Sequence, residues 1–160
     1  RNKKLDVNKA DASGDTPLHE ACFHGHYDVV KYLVETAGAE VNQETQGGHT
    51  PLHLACINGH RDILEYLHKS SRANLGATTK DGATPLHWAA LNGRFDCVKY
   101  LMEQCKCDAT AMANDGFTAL HMACSIGQLK IAKYLVLEAS VPVDCVNADE
   151  DTPLHYACYE

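Results

Sequence analysis

Histidine and cysteine stand three residues apart four times in this chain, as His19 and Cys22, His53 and Cys56, His121 and Cys124, and His155 and Cys158. On a helix that spacing puts both side chains on one face, and an imidazole beside a thiolate is half of a tetrahedral zinc site. Completing it requires two such pairs to converge, whereas packed neighbouring helices stand roughly 8–10 Å apart, a gap a disulfide cannot span either. Ala90 occupies the cysteine position in the remaining full copy of this register. The position therefore reads as a slot for a small buried side chain, with the histidine bonded to a nearby turn. A second constellation, Cys105-Lys106-Cys107, lies off this register. Two thiols flanking a lysine have the composition of a reactive or metal-binding pair, but no second cysteine pair accompanies them, and the expectation is of exposed or half-buried thiols of no special purpose. A nucleophile elbow, a phosphate loop, a metalloprotease helix and a dinucleotide fingerprint are all absent from the sequence. The reading is of a chain with no catalytic residue, no cofactor and no metal.

The elements that carry these residues repeat. Thr-Pro-Leu-His begins at Thr16, Thr50, Thr84 and Thr152, with Thr-Ala-Leu-His at Thr118, every copy 34 residues from the last. Gly25, Gly59, Gly93 and Gly127 follow nine positions after each threonine, and Tyr32, Tyr66, Tyr100 and Tyr134 sixteen positions after it. Threonine is an N-cap, proline fits the first helical turn where its missing N–H costs nothing, and glycine ends a short helix. A second amphipathic stretch follows, such as Asp62-Ile63-Leu64-Glu65-Tyr66-Leu67, and the tyrosines on its half-buried face are assigned to the core. Between units, Gln46-Gly47-Gly48-His49, Lys80-Asp81-Gly82-Ala83 and Asn114-Asp115-Gly116-Phe117 carry turn chemistry and predict projecting hairpin-like loops.

Gly-x-Thr-Pro-Leu-His-x-Ala, then Gly-His and an amphipathic helix, resembles the ankyrin repeat over essentially the whole chain. The resemblance implies an all-α repeat solenoid of helix-turn-helix units with projecting β-hairpin-like loops. Residues 1–160 then form a single array, in which 1–14 is the tail of a preceding repeat, 15–48, 49–82, 83–116 and 117–150 are full repeats, and 151–160 is a partial fifth. Each unit is one residue longer than the usual 33-residue repeat, and alignment places the extra residue between the second helix and the next hairpin, where it alters an outer loop and spares the stack. The fourth linker departs further in sequence, carrying Val141-Pro142-Val143-Asp144 and Glu150 where the others have Gly48, Gly82 and Gly116, and its hairpin is the least firmly specified of the set. Both ends run through repeats, which leads us to expect a longer array with capped ends.

Recurrence separates two jobs, because a position wedged between units must repeat and one that touches a partner need not. Leu18, Ala21, Cys22 and Gly25, and Leu52, Ala55, Cys56 and Gly59, recur on one helical face. The positions four, seven and eight after each threonine vary: Glu20, Phe23 and His24; Leu54, Ile57 and Asn58; Trp88, Leu91 and Asn92; Met122, Ser125 and Ile126; Tyr156 and Tyr159. Ankyrin proteins, by resemblance, bind partners along the concave surface made by this face and the hairpin tips. The candidate partner-binding residues are therefore Phe23, His24, Leu54, Ile57, Asn58, Trp88, Leu91, Asn92, Met122, Ser125, Ile126, Tyr156 and Tyr159, together with Lys80, Asp81, Asn114 and Phe117 at the tips. For the residues four after the threonine, packing between adjacent first helices is an equally open reading.

A net charge of −7 opposes nucleic-acid binding, which needs clustered Lys and Arg. Residues 1–80 hold nine Lys/Arg against ten Asp/Glu and residues 81–160 five against eleven, favouring a basic partner surface toward the C-terminal units. No apolar run is long enough to insert into a membrane, and eight cysteines read as free thiols point to an intracellular setting, cytoplasmic or nuclear. The expected function is a non-catalytic protein–protein interaction scaffold; the alternative is a regulatory or targeting array of a larger enzyme whose catalytic domain lies outside these residues.

Overall fold

Residues 6–70 and 73–158 are described by the computed structural model. Helices alternate short and amphipathic: α1 (Pro17–His24), α2 (Tyr27–Tyr32), α3 (Pro51–Asn58), α4 (Arg61–Ser70), α5 (Pro85–Leu91), α6 (Phe95–Glu103), α7 (Ala119–Ser125), α8 (Leu129–Leu137) and α9 (Pro153–Ala157). First helices α1, α3, α5, α7 and α9 pack in one row and second helices α2, α4, α6 and α8 in another. Among the described residues there is no strand. No helix there is long and apolar enough to cross a membrane. The chain is an all-α repeat solenoid.

The Thr-x-x-His signature builds each first helix. Thr16 is extended, φ −94° and ψ 166°, and caps α1 as its N–H donates to His19 Nδ1 at 3.1 Å. The Thr16 hydroxyl lies 2.8 Å from the same nitrogen. Accepting at Nδ1 leaves the proton on Nε2, which donates to the His49 carbonyl at 3.1 Å in the next loop. His87 repeats the bond to the Phe117 carbonyl at 3.0 Å, and His121 to that of Asp151 at 3.1 Å. One side chain thus caps its own helix and fastens the following loop. His53 keeps its cap but leaves Nε2 buried beside the Ala83 carbonyl without hydrogen-bond geometry. Desolvation lowers the basicity of all four rings, and that of His53 to a pKa of about 4.

The core lies between the two rows. Leu18, Leu52, Leu86 and Leu120 are buried there with Ile63, Leu64, Leu67, Val98, Leu101, Ile131 and Leu135. Cys22, Cys56 and Ala90 fill the small slot completely, whereas Cys124 is half-buried and Cys158 exposed toward the last described helix. Burial was expected at all four cysteines, and it weakens at the end of the stack because fewer neighbours close over the later positions. The tyrosines follow the same rule in reverse. Tyr66 and Tyr100 are buried, with the Tyr66 hydroxyl donating to Glu35 at 3.3 Å and the Tyr100 hydroxyl 3.1 Å from His68 Nδ1, each reaching the preceding second helix. Tyr32, expected in the core, is 60% exposed, since among the described helices α2 has an outer-row neighbour on one side only.

Each loop is a tight hairpin. Thr45 N–H donates to the His49 carbonyl, Thr79 to Ala83 and Ala113 to Phe117, all at 2.9 Å. Adjacent tips bond as a ladder, with Gln46 N–H to Ser13, Lys80 to Gly47, Asn114 to Asp81 and Ala148 to Asp115. The fourth linker forms the same hairpin: Asn147 N–H donates to the Asp151 carbonyl at 3.0 Å, and Glu150 adopts φ 64° where Gly116 has φ 80°. A Cβ on Gly48 or Gly116 would stand 2.8 Å from the backbone nitrogen of Lys80 or Ala148 in the next tip. Among the described residues no further tip follows Glu150, so its side chain meets only the backbone cost.

The stretch expected to hold the extra residue is a widened final turn of each second helix. Gly38, Lys106 and Ser140 take φ of 76°, 55° and 54°, and the amide after each reaches six residues back, Ala39 to Leu33, Cys107 to Leu101 and Val141 to Leu135.

Candidate partner-binding face

Facing away from the second helices, the first-helix row and the loop tips carry the positions that do not recur. Leucine and alanine on the inward face of each helix are sealed, which turns the residues four, seven and eight after the threonine outward. Phe23 is 43% exposed and Ile126 51%, and Leu54, Ile57, Trp88, Leu91, Phe117, Met122 and Tyr156 are half-buried. Glu20, His24, Lys80, Asp81 and Asn114 are exposed around them. Tyr159 lies outside the described residues.

The positions differ in how they are held. Leu54 and Met122 pack against the core, so this level of the helix shares its surface between stack and solvent. The Trp88 ring tilts against His49 with centroids 5.2 Å apart, and its indole N–H is buried without an acceptor among the described residues. Phe117 meets Tyr156 edge-on at 4.9 Å and the His121 ring at 5.4 Å, joining its own tip to α7 and α9. The polar residues are partly engaged: Asn58 Nδ2 donates to the Leu54 carbonyl at 3.2 Å, Asn92 Nδ2 to Trp88 at 2.9 Å and Ser125 Oγ to Met122 at 3.0 Å. Each bonds a carbonyl three or four residues back on its own helix, and the Trp88 carbonyl also accepts from the Asn92 backbone N–H at 3.1 Å. His24 lies 3.5 Å from Glu20 at the exposed end of α1. Asn114 Nδ2 donates to the Lys80 carbonyl at 2.8 Å and ties two tips together.

Ankyrin-repeat family models match residues 13–46, 37–113 and 104–160. The chain belongs to the ankyrin-repeat family. Ankyrin repeats are general protein–protein interaction modules, and proteins built from them are typically non-catalytic scaffolds. A search of curated proteins finds no match.

Within this ankyrin stack the structure adds two features to the sequence reading. His49 is the platform on which Trp88 rests, a role its place beside a loop glycine did not signal. The back-bonding of Asn58, Asn92 and Ser125 was legible in principle, because an amide or hydroxyl three or four residues after a carbonyl on the same helix is within its reach. The face is mixed in composition: aromatic and branched aliphatic side chains in the middle, with charge at the tips and the ends of helices.

Proposed function

We propose that this ankyrin array binds a partner protein along its concave face, the surface of the first helices and the tips. The observation that carries the proposal is the partial exposure of a run of large apolar side chains at the non-recurring positions, from Phe23 through Ile57, Trp88 and Leu91 to Ile126, above a layer of recurring residues that is sealed. Apolar side chains left in water along one face contribute affinity when a partner covers them, and aromatic anchors near the centre dominate. Trp88 and Leu91 are the central anchors, Leu54 and Met122 divide themselves between stack and surface, and Lys80, Asp81 and Asn114 provide selectivity at the rim. The acidic balance of residues 81–160 favours a partner whose surface is basic where it meets the later units.

Affinity capture followed by mass spectrometry tests this with three forms of the chain: wild type, Ile57→Asp with Ile126→Asp, and Lys31→Asp with Lys99→Asp as an outer-helix control. Proteins retained by wild type and the control but lost from the apolar-face variant support the proposal. Retention by that variant with loss from the outer-helix control contradicts it.

A further inference from the structure

Between α8 and α9 lies a groove of about 590 Å³, floored by Leu120 and Val136 and walled by Leu129, Leu137, Val143 and Leu154. The four wall residues are each between 57% and 73% exposed. At earlier second helices the corresponding edge is covered or polar. Tyr27, Arg61 and Phe95 stand where α8 has Leu129, and each meets the tyrosine of the following second helix, Tyr66 at 5.7 Å, Tyr100 at 5.3 Å and Tyr134 at 5.6 Å. Glu35 accepts from the Tyr66 hydroxyl at 3.3 Å, and His68 Nδ1 lies 3.1 Å from that of Tyr100. Their counterparts on α8 are Leu137 and Val136, which offer a tyrosine hydroxyl nothing to bond. This edge is therefore not shaped to repeat the internal junction. Two charges line the same groove, Lys133 from α8 and Asp144 from the loop that leads to α9. Both are exposed, and neither has an ion pair among the described residues.

We infer that a second copy of this chain covers the groove, in an isologous dimer whose two-fold axis passes through it. The charges argue for this occupant. A surface with one free cation on one wall and one free anion on another is complementary to itself, because half a turn sets Lys133 of each copy against Asp144 of the other. A partner surface of a single sign satisfies only one of the two. Between the two ion pairs, Leu137 and Leu154 of each copy cover those of the other and leave water, which gives the apolar centre and charged rim of a homodimer interface. Leu154 belongs to the recurring leucine row and opens on the second-helix side of α9, so the first-helix faces of both copies stay free. The dimer is thus independent of partner binding on the concave face.

Sedimentation equilibrium under reducing conditions, from low to high micromolar protein, tests the assignment. Wild type is expected to show a reversible equilibrium between one and two copies. Leu137→Asp with Leu154→Asp is expected to stay at the mass of one copy, with thermal melts establishing that it folds. Lys133→Glu and Asp144→Lys, each alone, are expected to raise the dimer Kd about tenfold or more through two like-charge contacts. An equimolar mixture of the two single variants is expected to dimerise as wild type does, because the mixed pair again opposes unlike charges at both contacts. A wild type of one-copy mass throughout, masses rising beyond two copies, a dimer that survives the leucine substitutions, single charge variants that associate unchanged, or a mixture without rescue would overturn it. So would one-to-one binding of a labelled peptide copying residues 128–138 in place of the dimer, which would assign the groove to an amphipathic helix.

Discussion

Trp88 concentrates the functional question at the scale of one residue. Its ring leans on His49, its N–H has no acceptor among the described residues, and the side chain is half-buried, so part of it serves the stack and part stays open. Trp88→Ala is expected to weaken partner binding by about 2 kcal/mol or more, as central aromatic anchors do, and to cost less than that in stability. Denaturation and partner titration on the same variant separate the effects; a stability loss of about 3–5 kcal/mol with normal binding by the folded fraction makes the position structural. Glu150 poses the complementary problem. It holds a left-handed conformation that an L side chain adopts at a cost of roughly 1–2 kcal/mol, and among the described residues no neighbouring tip crowds it. Glu150→Gly is therefore expected to stabilise the chain by about 1 kcal/mol in urea denaturation, and a destabilised variant would show that the side chain has a compensating contact.

Among the elements, the pairing of first and second helices depends on the leucines between them. Leu52 and Leu86 are each 1% exposed, and replacing either by alanine is expected to cost about 2–5 kcal/mol by chemical denaturation; a loss below about 1 kcal/mol contradicts the packing. This layer was readable from the sequence because the helix period and the 34-residue period coincide on the same side chains. The capping role of histidine was readable only in outline, since its bond to a carbonyl thirty residues on depends on how units stack. Burial at the ends was misread for Tyr32 and Cys158 for a physical reason: recurrence reports what a position needs when neighbours exist on both sides, and says nothing of which neighbours are present. Glu150 shows the limit from the other direction. The hairpin and the tip-to-tip ladder impose the conformation of the fourth linker, and they override the local preference that glycine would have satisfied.

For the molecule as a whole, the buried histidine row makes stability depend on pH. Each ring is neutral in the folded chain and its pKa lies below the ordinary 6.5, that of His53 at about 4. The unfolded chain therefore binds more protons between about pH 6.5 and pH 4, and stability falls as pH is lowered through that window. For His53 alone the difference corresponds to about 3 kcal/mol. Urea denaturation at pH 7 and pH 5 is expected to show a clear loss at pH 5, and an unchanged midpoint would contradict the buried neutral assignment. The rigidity that the histidine clamps give to the stack is also what presents the non-recurring side chains as one surface. Which side chains face outward was legible in the sequence as variation between units; that Trp88 rests on His49 was not, because the two rings meet only when one unit's loop stacks against the next unit's helix. The central claim is that a partner covers this surface. Hydroxyl-radical footprinting of the chain alone and with a captured partner reads it directly: oxidation of Phe23, Trp88, Phe117 and Met122 is expected to fall on binding while Tyr32 and Leu137 on the second helices stay unchanged, and protection of Tyr32 and Leu137 with Phe23 and Trp88 still reactive would place the interface on the other side of the solenoid.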